Sequence, residues 1–289
     1  MRKDNSFSGK KSLVINGRLY DLTRPLIMGI LNLTPDSFFD GGRYLQDEAL
    51  ERRIKEMIAE GADIIDVGAW SSRPGSVSVS EEEEWSRLQK GLERLRKLDT
   101  DIPVSVDTFR SVIAEKAVKE YGAGMINDIS GGDMDAEMFE TVARLQVPYV
   151  LMHMQGTPQT MQDNPRYDHV IKDILYIFSK KVHRLRELGV HDIILDPGFG
   201  FGKTLEHNYQ LLKGLGAFRE TGLPVLAGVS RKSMIWKVLK TTPEEALTGT
   251  TVLHTLALLE GVDILRVHDV RAARETIEIV QYRERVKIE

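Results

Sequence analysis

Eight short apolar runs in this chain each end in a polar or charged residue, and the types of those residues suggest a ligand. Asp107, Asn127 and Asp196 carry carboxylate and amide groups that match the N–H and C=O edges of a flat heterocycle. Arg266 and His268 are cationic residues suited to phosphate oxygens. The residue types therefore predict a site that holds a heterocycle at one end and phosphate at the other.

Other residues at the same run ends extend this candidate site. Lys232 could meet a ring oxygen or nitrogen, and Arg73 would add a further cation for phosphate. Phe201, Met152 and Pro74 would supply apolar walls. The remaining polar run ends are Asn32, Asp66, Asp128 and His153. A single Asp or Asn after a strand is often only a helix cap, but eight such ends favour a shared site.

Strand-like runs alternate with longer segments of helical period. The runs lie at residues 26–31, 63–67, 103–106, 124–126, 148–152, 192–195, 224–227 and 263–267. The helical segments lie near residues 46–60, 80–97, 109–121, 135–145, 167–188, 208–215, 231–240 with 243–260, and 270–285. Near-continuous apolar strands separated by helices are typical of a parallel sheet buried on both faces.

Eight strand-then-helix units predict an α/β fold of the (β/α)8 TIM-barrel class, whose usual size is about 250 residues. A doubly wound sheet is the alternative. In a barrel, the carboxyl ends of the strands meet at one mouth, where the active site lies. The polar run ends are therefore expected to converge there.

A β-hairpin is predicted over residues 12–22, with its turn at Asn16-Gly17, and could cover the lower mouth of the barrel. The expected organisation is residues 1–24 as a polar segment and hairpin, and residues 25–289 as one barrel domain. Ser80 is expected to cap the next helix, and Glu81 to Glu84 to form its solvated, acidic start.

Composition excludes several classes of function. The chain has 39 Lys and Arg against 43 Asp and Glu, a net charge of −4, so a nucleic-acid partner is not expected. There is no cysteine, which excludes disulfides and thiolate sites. The start, Met1 to Ser12, lacks the apolar core of a signal peptide, and no run reaches membrane-spanning length. We expect a cytoplasmic protein that does not bind membranes.

Four segments together resemble the dihydropteroate synthase family. The first is Asn32-Leu-Thr-Pro-Asp-Ser-Phe-Phe-Asp-Gly-Gly42. The others are Asp196-Pro-Gly-Phe-Gly-Phe-Gly-Lys203, Ser230-Arg-Lys-Ser233 and Arg266-Val-His-Asp269, and the correspondence runs in order over residues 25–281.

This resemblance implies a pterin-binding (β/α)8 barrel of folate biosynthesis. Such an enzyme condenses 6-hydroxymethyl-7,8-dihydropterin diphosphate with 4-aminobenzoate, and gives 7,8-dihydropteroate and diphosphate. The resemblance also implies a Mg²⁺ cofactor, a homodimer and inhibition by sulfonamides.

The resemblance implies roles for individual residues. The pterin would be held by Asp107, Asn127, Met152, Asp196, Lys232 and Arg266. The diphosphate would contact Asn32, Ser72, Arg266 and His268, with Asn32 also on the metal. The 4-aminobenzoate would lie near Arg73, Pro74, Phe201, Lys232 and Ser233. The catalytic set would be Asn32, Asp107, Lys232, Arg266 and His268.

The second loop departs from the family pattern Gly-Gly-Glu-Ser-Thr-Arg-Pro-Gly. Here the loop reads Gly68-Ala-Trp-Ser-Ser-Arg-Pro-Gly75, so Trp70 replaces an acidic residue and Ser72 replaces Thr. Ser72 keeps the hydroxyl expected at the diphosphate. Loops 34–44 and 68–80 are expected to close over the ligands.

A dissociative displacement is expected, because leaving-group stabilisers are abundant and no general base is evident. Two alternatives stay open. One is a methyltetrahydrofolate-binding methyltransferase on the same barrel, which would not need Arg266 and His268 for diphosphate. The other is a pterin-binding paralogue without activity.

Overall fold

A computed structural model describes residues 11–33, 43–70 and 79–287, with side chains described from residue 47 in the second segment. A hairpin of β1 (Ser12–Ile15) and β2 (Arg18–Asp21) comes first. Eight strands then form one sheet: β3 (Leu26–Asn32), β4 (Ile64–Gly68), β5 (Val104–Asp107), β6 (Met125–Asp128), β7 (Tyr149–Met152), β8 (Ile193–Asp196), β9 (Leu226–Ala227) and β10 (Ile264–Val267).

The sheet closes into a barrel, which confirms that prediction over a doubly wound sheet. Its strand order is β8-β7-β6-β5-β4-β3-β10-β9, and the seven neighbouring pairs are parallel. A parallel bridge between Leu195 and Val225 joins the segment before β9 to β8, and Leu195 N–H donates to Pro224 O at 2.9 Å. The last gap is therefore closed by backbone bonds.

Helices follow the strands, as the periodicity predicts. They are α1 (Arg43–Ala59), α2 (Glu81–Lys97), α3 (Ser111–Tyr121), α4 (Met138–Leu145), α5 (Val170–Glu187), α6 (Leu205–Lys213), α7 (Ser233–Leu239), α8 (Leu247–Leu259) and α9 (Val270–Arg285). A 3-10 helix, Leu215–Thr221, follows α6 and was not predicted. The apolar outer faces of the strands pack against these helices as one core.

The predicted hairpin covers the lower mouth of the barrel. Asn16 and Gly17 both have positive φ, 50° and 74°, as a two-residue type I′ turn requires. Leu13 and Ile15 are buried in a cluster with inward residues near the amino ends of the strands, among them Met28. The hairpin thus closes the mouth at the amino ends of the strands with apolar side chains, and the polar residues lie at the opposite mouth, at the carboxyl ends.

The start of α2 differs in one respect from the sequence prediction. Ser80 caps the helix as expected, its Oγ accepting from Glu83 N–H at 3.2 Å. The prediction of a solvated start is wrong for Glu84, which is 1% exposed. Its carboxylate accepts from the Thr108 hydroxyl at 2.7 Å and from Arg110, so it ties α2 to the segment after β5.

Within the described ranges, none of the helices combines the length and the apolar character that crossing a bilayer would require.

Candidate active site

Strand register sets four residues side by side at the carboxyl mouth. Asn32 on β3 pairs with Gly68, Gly68 pairs with Asp107 on β5, and Asp107 pairs with Asn127 on β6. A Cβ built on Gly68 would lie 3.5 Å from Asn32 Oδ1 and 3.6 Å from Asp107 Oδ2. Glycine thus leaves room between these two polar groups, where a ligand could enter.

Arg266 on β10 reaches across this row and joins two carboxylates. Its Nε donates to Asp66 Oδ2 at 2.7 Å, and one terminal nitrogen donates to Asp107 Oδ2 at 2.7 Å. Asn127 Nδ2 also donates to Asp66 Oδ2, at 3.0 Å. The predicted residues Asp107, Asn127 and Arg266 therefore meet, and Asp66 links them.

Asp196 and Lys232 form the other side of the mouth. Asp196 Oδ1 accepts from Gly198 N–H at 2.8 Å. Lys232 Nζ donates to Phe199 O and lies 4.7 Å from the ring centroid of Phe201. The charges of Asp196 and Arg266 both influence the pKa of Lys232, the first raising it and the second lowering it.

Gly228 leaves room between the two sides of the site, as Gly68 does between Asn32 and Asp107. A Cβ on Gly228, just after β9, would lie 3.7 Å from Lys232 Nζ and 3.9 Å from Arg266 Cβ. Met152 pairs in register with Asp196 and is buried, so it lies beside Asp196 in the wall of the site.

Burial shapes the charges of the site. Burial raises the pKa of Asp107 to about 7, although Arg266 opposes the shift. Burial also raises the pKa of Asp196, against the opposing charge of Lys232, and lowers the pKa of Lys232 itself to about 8. Burial opposes the charge of Arg266, but the neighbouring Asp66 and Asp107 outweigh it and raise the pKa of Arg266. The cluster thus holds a permanent cation, Arg266, beside Asp107 and Lys232, whose pKa values lie near neutrality.

The glycine-rich loop after β8 is fixed by a buried lysine. Lys203 Nζ donates to Gly198 O at 2.9 Å and to Phe201 O at 3.0 Å, and lies 3.1 Å from His153 Nδ1. Burial lowers the pKa of His153 to about 2, so the ring is neutral and its Nδ1 accepts. Lys203 thereby shapes the loop that presents Phe199 and Phe201 to Lys232.

The segment after β9 is fixed by an ion pair. Arg231 has a positive φ of 53°, and its guanidinium pairs with both carboxylate oxygens of Asp269 at 2.8 and 2.9 Å. This pair connects the segment carrying Lys232 and Ser233 with the end of β10. His268 there lies with its Nδ1 3.1 Å from Ser230 Oγ.

Three predicted site residues, Ser72, Arg73 and Pro74, lie outside the described residues, as do residues 34–42 of the first loop. The stem of the second loop is described as far as Trp70. The indole of Trp70 meets Phe109 edge-on, with ring centroids 5.5 Å apart. Arg87 donates to Ala69 O at 3.1 Å, so α2 also holds this stem.

Sequence reasoning named Asp66 as a run end but gave it no role in the site. The available signal was its position inside the apolar run Ile64-Ile65-Asp66-Val67, because a carboxylate buried in a strand requires a partner. Lys203, at the end of a glycine-rich run, was also missed.

Asp128, a further polar run end, stabilises the fold. Its carboxylate accepts from Ser130 N–H, Gly132 N–H and the Tyr149 hydroxyl.

Comparisons with known proteins agree over nearly the whole chain. A family model described as pterin binding enzyme matches residues 28–268. The dihydropteroate synthase of Haemophilus influenzae is 41% identical over 271 residues, covering 93% of this chain and 98% of that protein. The Yersinia pestis dihydropteroate synthase in complex with a sulfonamide drug has a TM-score of 0.89 at 39% identity, covering 96% of this chain and 100% of that one. The Xanthomonas albilineans dihydropteroate synthase with 4-aminobenzoic acid also has a TM-score of 0.89 at 39% identity, covering 96% of this chain and 100% of that one.

Proposed function

Because the chain belongs to the pterin binding enzymes, and among them to the dihydropteroate synthases, we propose that it makes 7,8-dihydropteroate. The family consists of transferases of folate biosynthesis, and this chain is one of them. The proposed substrates are 6-hydroxymethyl-7,8-dihydropterin diphosphate and 4-aminobenzoate. The observation that carries the proposal is the cluster of Asp107, Asn127, Asp196, Lys232 and Arg266 at one mouth.

The pterin ring fits this cluster by hydrogen-bond chemistry. A carboxylate such as Asp196 would accept from the adjacent N–H groups of the ring. Lys232 would donate to a ring oxygen or nitrogen, while Asn127 and Asp107 would bind the opposite edge. Met152 would supply part of the apolar wall. Recognition by several fixed polar groups would orient the ring, and alignment of two reactants is worth up to ~7–11 kcal/mol.

The diphosphate would lie toward Asn32 and His268. His268 follows Arg266 by two residues along the chain, and Arg266 keeps N–H donors beyond the two that its carboxylate partners use. Ser72 is proposed to add a hydroxyl contact, although it lies outside the described residues. Negative charge develops on the leaving diphosphate, so these donors would lower the barrier.

The residues present fit a magnesium ion bound mainly through substrate. In the described ranges, no group of three or more His, Cys, Asp or Glu side chains could hold a metal ion. Mg²⁺ commonly keeps several waters and phosphate oxygens, so the amide oxygen of Asn32 would be a sufficient protein ligand. When bound, the ion would neutralise charge on the diphosphate. Asn32→Ala should raise the Mg²⁺ concentration needed for half-maximal binding of the pterin diphosphate, measured by calorimetry.

We infer that the displacement is dissociative. The C–O bond would break first, diphosphate leaving with the electron pair, and the electron-rich dihydropterin would share the positive charge of its methylene carbon. The neutral amine of 4-aminobenzoate would then form the C–N bond and release a proton to water, without a general base. Stopped-flow release of diphosphate in the absence of 4-aminobenzoate is expected. Release that strictly requires 4-aminobenzoate contradicts this order of steps.

The 4-aminobenzoate would lie against Phe201 and Ser233, with Lys232 nearby. Phe201 presents a ring whose centroid is 4.7 Å from Lys232 Nζ, and Ser233 begins α7. Arg73 and Pro74 are proposed to complete this subsite. A sulfonamide, as an analogue of 4-aminobenzoate, should inhibit competitively against it. The Yersinia pestis relative was solved with a sulfonamide drug, which supports this proposal.

A coupled assay for diphosphate tests the activity directly. Purified protein with both substrates and Mg²⁺ should release diphosphate and form dihydropteroate. Omission of either substrate should abolish dihydropteroate, and omission of the pterin diphosphate should also abolish diphosphate release. Methyl transfer from methyltetrahydrofolate without diphosphate release would favour the methyltransferase alternative. Tight pterin binding with no product would favour an inactive pterin-binding paralogue.

A homodimer is proposed through α8 and α9. Val252, Leu256 and Leu259 on α8 are 53%, 43% and 45% exposed, and Ile279 and Tyr282 on α9 are each 72% exposed. Their spacing makes an apolar stripe on each helix, and such surfaces typically mark contacts between proteins. Light scattering should give a dimer mass, and Leu256→Glu should give a monomer. A monomeric wild-type protein contradicts the proposal.

A further inference from the structure

Asp66 lies at the floor of the site, with 0% of its surface exposed. A single oxygen, Oδ2, accepts from Arg266 Nε at 2.7 Å and from Asn127 Nδ2 at 3.0 Å. Asn127 is proposed above to bind the pterin, and the family resemblance implies that Arg266 contacts both the pterin and the diphosphate. Asp66 itself lies beneath them and is closed to solvent, so it cannot act as an outer wall of the site.

We propose that Asp66 is a positioning residue for pterin recognition: it fixes the guanidinium plane of Arg266 and the amide orientation of Asn127. This inference rests on the proposed function, because it assumes that those two residues meet the pterin ring.

The guanidinium of Arg266 is held at two points. Asp66 binds Nε from β4, and Asp107 binds a terminal nitrogen from β5, each at 2.7 Å. Two hydrogen bonds from neighbouring strands define the plane of the guanidinium, whereas with one hydrogen bond the guanidinium could rotate about that bond. A free arginine side chain samples many rotamers. Asp66 removes part of that freedom before the ligand arrives, and three of the five N–H donors stay available.

The amide of Asn127 is oriented by the same carboxylate. Its Nδ2 points at Asp66, so its Oδ1 points elsewhere and presents an acceptor. Without a carboxylate at position 66, the amide could turn and present donors in place of that acceptor. Asp66 therefore determines which hydrogen-bonding group Asn127 offers to a heterocycle.

A role in stability alone does not explain Asp66. Its strand neighbours Ile65 and Val67 are apolar and fully buried. Among the described residues, Asp66 Oδ1 has no hydrogen-bond partner. Burying an incompletely bonded carboxylate costs free energy, and an apolar side chain often stabilises such a position better. The carboxylate is therefore better explained by what it does to Arg266 and Asn127.

The test is Asp66→Asn, which keeps the shape and removes the charge. Binding of 6-hydroxymethyl-7,8-dihydropterin diphosphate should weaken about 10- to 100-fold, the range expected for loss of a charge-assisted hydrogen bond. The KM for 4-aminobenzoate should change less than about twofold. Ser105→Ala is the matched control. Ser105 lies on β5, is as fully buried as Asp66, and pairs in register with Asp66 on β4. It should bind pterin as the wild type does.

A double-mutant cycle with Arg266→Met separates positioning from support of the fold. The loss caused by D66N should be clearly smaller in the R266M background, because one of the two groups through which Asp66 acts is gone and only the contact with Asn127 remains. Equal losses in both backgrounds overturn the proposal, and so does an equal weakening of both substrates. If D66N does not fold, D66A takes its place in the cycle. A wild type that binds pterin but releases no diphosphate contradicts the proposed synthase while leaving this cycle measurable.

Discussion

Gly198→Ala should disable the site by moving the loop that carries Phe199 and Phe201. Gly198 has φ +72°, and a Cβ built there collides with the backbone carbonyl oxygen of His153. That oxygen cannot rotate away, because His153 N–H is bonded to Asp196 O at 2.9 Å and the segment is part of the packed wall. Alanine therefore forces either the loop or the end of β7 to shift.

The magnitude follows from a matched comparison with Gly122. Gly122 also has φ +72°, but no atom lies within 4 Å of a Cβ built on it. Gly122→Ala should therefore lose only the left-handed backbone preference, ~1–2 kcal/mol. Gly198→Ala should lose the same amount of unfolding free energy, and a further ~1–3 kcal/mol because the new Cβ overlaps the His153 carbonyl oxygen. The difference between the two variants isolates the close approach, since their backbone terms cancel.

Two assays test this reasoning. Urea denaturation of both variants should show the larger loss of unfolding free energy in G198A. Diphosphate release should fall at least about 10-fold in G198A, because Gly198 N–H orients Asp196 and the loop presents Phe199 O to Lys232. G122A should keep wild-type kcat/KM. Equal stability losses in the two variants, or full activity in G198A, would refute the argument.

Three other substitutions test single groups. Lys232→Ala should lower kcat/KM about 10²–10³-fold with less than ~1 kcal/mol lost in urea, and the opposite pattern, lost stability with normal turnover, contradicts the assignment. Lys203→Met removes the ammonium donor from the carbonyls of Gly198 and Phe201, and Gly198 O keeps only the bond from Phe201 N–H. Urea denaturation should therefore show a loss of ~1–3 kcal/mol in unfolding free energy, whereas unchanged stability would mean that Lys203 does not fix the loop. Burial raises the pKa of Asp107 to about 7, so the folded state holds a proton that the unfolded chain has released above about pH 4. Stability should therefore fall as pH rises from about 4 to 7. Asp107→Asn should make the urea midpoint depend less on pH over this range. If the variant keeps the wild-type pH dependence, the raised pKa of Asp107 is contradicted.

The fold could be predicted from the sequence because its determinants are local. Strand runs, helical periods and the Asn16-Gly17 turn depend on neighbours a few residues apart, and the structure has all of them. The cap at Ser80 is likewise a contact over three residues. The 3-10 helix after α6 was missed because its sequence, Leu-Gly-Ala-Phe-Arg-Glu-Thr, has no distinct period.

The candidate site could be predicted in part. The types of Asp107, Asn127, Asp196, Lys232 and Arg266 indicated a polar mouth, since barrel topology brings strand ends together whatever their separation in sequence. Which side chain binds which could not be predicted. The bond between Arg266 and Asp66 spans 200 residues, and no spacing rule specifies a partner at that distance.

The sequence by itself thus determined the eight units, their direction and the mouth at which polar groups gather, because these follow from short-range periodicity and chain topology. Only the tertiary structure decided that Asp66 lies beneath Arg266 and Asn127, that Glu84 is buried, and that Lys203 fixes the glycine-rich loop. The physical reason is burial. A charged group removed from water must find partners in three dimensions, and those partners come from strands and loops that only the closed barrel brings together.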